Sequence, residues 1–499
     1  MLTLLSLTPI LIFTVGLITF RRQAFAVAGV SLVVALLLAL GVWQMVPLAF
    51  MAAGTKALFI AGEISLILFG ALIFLEVMRA ERVLSSLEHY LELFSRDIRV
   101  QVILLTWFFG AFLEGTAGFG IPALIVAPLL VHIGISPRLS VVLALVANTV
   151  SVSFGAVGTP VRIGLADFSS TLVVQDTVFL GAMLSLFVPA IILAALTHGL
   201  KRDRTFFMGG LPFALWSGTV FGVMYYFSQY LGEEFPTLFG SLFGLVAVLI
   251  PLKFGIFAPT EVHRAKPYEP NELPLHPIRV LAPYLALVSL LIAGRVILPS
   301  YPLDLPLGEV QVIRLFNPGF AFLSVVLVYW IGYPHLRAEV PRLTLEALKR
   351  LKRPAVLLVT TVGLTQVMAL SGENLTGYAS MVRYSFESLQ TSLLPLVSPL
   401  IGALGGFVAG STTLSNLIFG GVQASAAVAA GYQVSSILAL QVLGATAGNA
   451  MSLSNVVAAS SSVGLHNEEG HIVRDVFPWA ILYLFIIVLA GGGLILVTR

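Results

Sequence analysis

Apolar runs of about 20 residues, the length that carries a helix through a bilayer, recur along this chain with short polar breaks between them. Twelve segments read as spans: Leu4–Phe20, Ala24–Val42, Ala57–Met78, Leu139–Pro160, Thr177–His198, Phe207–Leu231, Thr237–Phe257, Val280–Leu298, Leu315–Ile331, Pro354–Leu370, Ser435–Leu465 (interrupted) and Val476–Val497. The first reads as an uncleaved span, because no basic residue precedes it and its apolar run reaches Phe20 before Arg21 and Arg22.

Two regions break the pattern. Val102–His132 is apolar on both sides of "EGTAGFG", and Leu393–Ala430 is apolar on both sides of "GSTTLSN". Their arms hold roughly 12 to 17 residues. At about 1.5 Å per residue the shorter arms fall well short of a hydrocarbon core of about 30 Å. The pattern therefore predicts two re-entrant hairpins, with irregular tips surrounded by protein or a watery cavity.

The basic residues support this count. With the Arg21–Arg22 loop in the cytoplasm, all 27 Lys and Arg fall on the cytoplasmic side except Lys56, Arg162, Arg295, Arg314, Arg383 and Arg499, the asymmetry of a correct topology. Making the first hairpin a full span would move the segment 201–204 and the cluster 337–353 outside. The hairpins then open from opposite faces, which makes residues 1–200 (hairpin 102–133) and 275–499 (hairpin 393–430) inverted repeats joined by connecting helices in 201–260. Inverted repeats with broken helices at matching places mark secondary transporters, whose site lies near the midplane.

Composition sharpens the class. Of 499 residues, 58% are hydrophobic and 10% charged, whereas a soluble domain carries roughly 25% charged residues. The net charge of +3 is too small and scattered for nucleic-acid binding, and the absence of cysteine removes disulfides and thiolate metal sites. No phosphate-binding loop or zinc motif occurs, so neither a cofactor, a metal nor an enzymatic reaction is expected. "HNEEGH", His466–His471, reads as a solvated turn, and Arg79–Arg99 as an amphipathic interfacial helix.

The candidate chemistry gathers at the breaks. "ANTVSVSFGAVGTP" (Ala147–Pro160) and "ATAGNAMSLSNVVAASSS" (Ala445–Ser462) each follow a hairpin. Gly155, Gly158 and Pro160 in one, and Gly444 and Gly448 in the other, weaken helical continuity. Expected solute ligands are Gly115, Thr116, Gly118 and Gly120 of the first tip, Asn148 and Thr149 of the first break, Ser411, Thr412, Thr413, Ser415 and Asn416 of the second tip, and Asn449 and Ser452 of the second break. Ser151, Ser153, Ser454 and Asn455 add neutral donors and acceptors nearby. Hydroxyls, amides and half-helix N-termini suit a small anion, above all a carboxylate.

Glu114 has three readings: carrier of a coupling proton, backbone cap of the hairpin tip, or direct ligand of substrate or cation. An ionisable residue at membrane depth marks a functional site by default. Glu76, beside Arg79, reads as an interfacial ion pair, Glu63 as an interhelical hydrogen bond or second proton site, and Arg162 and Arg295 as snorkelling residues or entrance attractors for anions.

The stretches "GAFLEGTAGFGIP", "NTVSVSFGAVGTP", "GSTTLSNLIFGGVQASAA" and "LGATAGNAMSLSNVVAASSSVGL" closely resemble the L-lactate permease family of bacteria and archaea, and weaker likeness in "GEEFPTLFGSLFGL" and "LAPYL" extends this over nearly the whole chain. The resemblance implies proton-coupled uptake of lactate, glycolate or a related short monocarboxylate across the plasma membrane, by a multi-pass protein in contact with lipid. It also implies a hairpin-bearing domain moving against a dimerising scaffold as an elevator, so a homodimer is an expected assembly. The alternatives are a sodium- or proton-coupled carrier of another organic anion, or a passive anion channel. The chain departs from the family pattern twice: Thr412 stands where members show an aspartate, and Asn449 where they show a lysine. An acid and a base lost together read as a buried pair replaced as a unit, which is nearly neutral where losing one partner is costly.

Overall fold

The computed structural model describes residues 2–498 apart from 20–23, 84–85, 87–89, 91–94, 119, 169–170, 264–273, 299, 305–309, 315–316, 387–392 and 466–467. The Arg21–Arg22 loop, part of the Arg79–Arg99 strip and the start of the His466–His471 turn lie outside the described residues, as does the Arg295 side chain. The protein is helical, with one antiparallel β-hairpin among the described residues, Ser300–Asp304 paired with Val310–Arg314. Among the described residues ten helices are long and apolar enough to cross a membrane, or eleven if one bent pair is a single span. This is an integral membrane protein.

The chain forms two compact units, and each draws on both halves of the sequence. One comprises Met1–Glu81, Leu281–Leu394 and Leu417–Val434. Its centre is the pairing of the long helices Pro47–Ala80 and Leu336–Leu370, with Ala24–Gly41 and Pro318–Gly332 packed alongside. Gly70 and Gly319 set the closest approach: a Cβ on Gly70 would lie 2.6 Å from the Gly319 carbonyl oxygen. Glu76 pairs with Arg79 at 3.6 Å as expected, and Arg350 joins the same carboxylate. Asn317 donates to the backbone carbonyl of Glu63.

The other unit comprises Arg82–Val280, Pro395–Asn416 and Ser435–Arg499 and holds both hairpin tips and both broken helices. Its first arm starts on Asp97, whose carboxylate accepts the N–H of Arg99 and caps the helix. Asp97 and Arg99 are a buried pair, 2.7 Å apart. Arg99 also donates to the carbonyls of Phe206 and Glu261, and Asp97 accepts the N–H of His263. A buried pair with such full satisfaction fixes position, since breaking it would strand a charge. The first arm then runs as α-helix Ile98–Ile103, a π-turn Leu104–Phe109 and α-helix Gly110–Thr116. It spans 19 residues, longer than the sequence pattern suggested, because the Asp97 cap starts it before Val102 and the π-turn carries it through Gly110. The return arm Ile121–His132 packs back on both the π-turn and Gly110–Thr116.

The second hairpin has arms Leu394–Ala409 and Thr412–Ala430, of 16 and 19 residues. The first broken helix bends by 53° between Pro137–Ala147 and Val150–Arg162. The second breaks at Ser452, between Val434–Met451 and Leu453–Ser462. Gly444 and Gly448 therefore do not interrupt it, contrary to the expectation. They let the second hairpin approach: a Cβ on Gly448 would sit 1.8 Å from the Ala403 carbonyl oxygen, and one on Gly406 2.0 Å from that of Ala445. Facing small residues four apart are a close-packing device between membrane helices.

Two reciprocal ties complete this unit. Asp176, on Thr171–Ser185, accepts from the Ser435 and Ser436 hydroxyls at the start of the second broken helix. Asp475, on Glu469–Thr498, pairs at 2.7 Å with Arg138 at the start of the first.

Candidate functional site: a cavity between two hairpin tips

Glu114 lies near the end of the first arm, 2% exposed. Among the described residues its carboxylate has one hydrogen-bond partner, the Asn148 amide, which donates to Oε2 at 3.0 Å. Asn148 is the first residue of the first break, and its own carbonyl oxygen accepts from Ser151. No described backbone N–H reaches the carboxylate, so the capping reading has no support in the geometry. Oε1 lies against Gly155, where a Cβ would come within 2.3 Å of it. Only glycine leaves room for the acid there. Beyond Gly155 the backbone turns left-handed at Ala156 (φ 42°), Val157 (φ 56°) and Gly158 (φ 77°). Such conformations are costly for residues with a side chain and collect at functional sites.

The second tip faces this turn. Gly410 adopts φ 64° and Ser411 starts the helix Thr412–Ala430, its hydroxyl accepting from the Leu414 N–H. The first N–H groups of any helix lack intrahelical partners and carry a positive dipole end. Thr412 is 1% exposed, and its hydroxyl has no hydrogen-bond partner among the described residues. Behind the tip, Ser415 donates to the Gly402 carbonyl, Gln441 donates to Ser415 and Asn416, and Asn416 donates at 2.9 Å to the Pro160 carbonyl of the first break. Asn455 donates both to the side chain and to the backbone carbonyl of Asn449.

These elements border a small, partly open cavity of about 20 Å³, lined by Glu114, Gly118, Val152, Gly155, Ala156, Pro160, Gly410, Ser411, Thr412, Thr413 and Asn449. Five of the expected ligands, Gly118, Ser411, Thr412, Thr413 and Asn449, thus meet Glu114 at one cavity. The others stand behind it. Gly115 packs on Thr237 and Leu238, Gly120 on Asn455, and Thr116 bonds its own helix. Ser415, Asn416 and Asn148 orient neighbours, and Ser452 caps Leu453–Ser462. Thr149 lines a different, apolar crevice with Val146, Val188, Ile191, Ala450, Trp479, Ala480 and Tyr483. Arg162 is 1% exposed, which removes the snorkelling reading. Gln441 had no expected role. Its only signal in the sequence is an amide inside an otherwise apolar run.

Thr412 and Asn449 both line the cavity. The sequence profile of the L-lactate permease family matches residues 3–303 and 289–497. The chain belongs to that family. Members similar to it include a glycolate permease of Escherichia coli, 26% identical over 97% of this chain and 94% of the relative. An L-lactate permease of Bacillus subtilis is 25% identical over 97% and 94%, and one of Streptococcus iniae is 26% identical over 85% and 90%. Among the described residues no group of three or more His, Asp or Glu could hold a metal ion.

Proposed function

We propose that this permease-family chain is a secondary transporter that carries lactate, glycolate or a related short monocarboxylate together with a proton across the cell membrane. The observation that carries the reading is the convergence of the buried side chains of Glu114, Thr412, Thr413 and Asn449 on one cavity. The helix start at Ser411–Thr413 and the free Thr412 hydroxyl receive the carboxylate. Glu114, held by a neutral amide and by no cation among the described residues, carries the proton that offsets the anion's charge, because an uncompensated charge at membrane depth is costly. The names of the permease relatives agree with the substrate class, and a transporter rather than an enzyme is the role that they favour.

The same reading takes the hairpins as re-entrant and residues 1–200 and 275–499 as inverted repeats around the connecting helices 201–260. The reciprocal ties support the repeats: Arg138 and Ser435 open equivalent broken helices, and Asp176 and Asp475 lie at comparable distances downstream, each bound to the other repeat. The proposal extends to twelve spans, elevator motion of the hairpin-bearing unit and a homodimeric scaffold in lipid.

Uptake of lactate, glycolate, acetate and succinate into proteoliposomes, with and without an inward proton gradient, tests the proposal. Gradient-driven accumulation of lactate and glycolate but not succinate is the expected result. Equilibration without accumulation would make the protein a channel, and dependence on sodium instead of protons would remove the role given to Glu114.

A further inference from the structure

The cavity wall is divided by chemistry. Its polar side chains come from the first tip, the second tip and the second broken helix: Glu114, Ser411, Thr412, Thr413 and Asn449. Among the described residues its apolar side chains, Val152, Ala156 and Pro160, all come from the single stretch following the first break. A solute seated with its carboxylate at the Thr412 helix start therefore turns its carbon tail to this wall. Two of the three apolar residues are bound into the backbone. Ala156 is left-handed, and the Pro160 carbonyl is the acceptor for Asn416. Val152 differs: among the described residues it is the only branched apolar side chain on the lining, and it is 4% exposed. Its 3-10 turn, Val150–Phe154, is fixed by the bond from Thr237 to the Ser151 carbonyl and by the Val152 N–H bond to Thr149. A rigid backbone under a branched side chain makes a fixed stop.

We infer that Val152 sets the chain length of the acid that this protein accepts, closing the cavity against the tail beyond the third carbon. The inference rests on the proposed carboxylate transport. A stop of this kind acts through the few atoms that meet it. One methylene more or less in an apolar pocket changes discrimination by about 10- to 200-fold, so the effect is legible in ratios of rates rather than in absolute activity.

The test is uptake of glycolate, lactate, 2-hydroxybutyrate and 2-hydroxyvalerate into proteoliposomes, by the wild-type protein and by Val152→Ala and Val152→Leu. Competition of each acid for thermal stabilisation of the detergent-purified protein gives a binding readout that does not need transport. Val152→Ala raises the 2-hydroxybutyrate-to-lactate ratio by about tenfold, and Val152→Leu lowers the lactate-to-glycolate ratio by a similar factor. Val152→Thr keeps the volume and folds where the others do not. It weakens lactate against glycolate, because the methyl end then meets a hydroxyl. Ratios unchanged in the variants, with wild-type uptake of lactate intact, overturn the role of Val152 and leave the transport proposal standing. Wild-type protein that neither takes up nor is stabilised by any of the four acids overturns the transport proposal itself.

Discussion

The two hairpin tips meet the same cavity but are built differently. The first carries a carboxyl group, Glu114, with a single amide partner and a glycine floor. The second carries no charge; its tip residues rest on a chain of neutral hydrogen bonds from Gln441 through Ser415 and Asn416 to Pro160. In the proposed transport cycle the difference separates two tasks. A group that gains and loses a proton needs few fixed partners, because each one would favour a single state. A group that receives an anion gains from being held rigid, because donors fixed in advance need no reordering when the anion arrives.

The largest predicted effect removes the asymmetry. Glu114→Gln leaves both tips neutral: lactate exchange across the membrane persists, while proton-driven accumulation falls to equilibration, read as the inside-to-outside ratio of labelled lactate. Gly155→Ala tests the same tip through its surroundings. The added Cβ would lie 2.3 Å from Oε1 and displaces the carboxyl group, so the accumulation ratio falls strongly. The protein also loses about 1 to 3 kcal/mol of stability by overpacking, which a melting curve in detergent measures.

Thr412→Val acts on the second tip alone. It removes a buried hydroxyl and keeps the shape, so the loss is one hydrogen bond to the anion, about 1 kcal/mol or roughly fivefold in half-saturating concentration. The dependence of uptake on the proton gradient stays as in the wild type. A change in coupling here, or a change only in affinity with Glu114→Gln, would reverse the division of tasks.

The smallest effect lies outside both tips and calibrates the others. The Asp203 carboxylate accepts the Phe206 N–H and the Thr205 hydroxyl, bonds that hold its pKa below the ordinary aspartate value. The folded-state pKa is depressed, so this contribution is complete above the unfolded value and fades as pH falls through the folded one. Asp203→Ala therefore lowers the melting temperature slightly at neutral pH and not in strong acid. Transport is unchanged at either tip.

Much of this comparison was legible in the chain. A glutamate beside "GTAGFG", and a hydroxyl-rich "GSTTLSN" between short apolar runs, mark the tips because charge and broken helix are both costly in a membrane. What packing decides was not legible. Gly444 and Gly448 read as breakers, since glycine weakens a helix by about 1 kcal/mol, but their purpose is the approach of Ala403 and its neighbours, residues distant in sequence. The break lies at Ser452, where a capping hydroxyl restarts the helix. Thr149 follows Asn148 directly, yet the sharp turn of the first break sends it to another crevice. Gln441 stood alone in its run and gave no cluster to notice. Arg162 lay near the end of an apolar segment, which suggested snorkelling, while the structure buries it.

The account turns on Glu114 moving a proton with each solute molecule. Proteoliposomes loaded with a pH-sensitive dye and given external lactate, with no imposed gradient, test it most directly. Internal acidification that accompanies lactate entry in the wild type, and is absent in Glu114→Gln protein still able to exchange lactate, is the predicted result. Equal acidification by both proteins would contradict it.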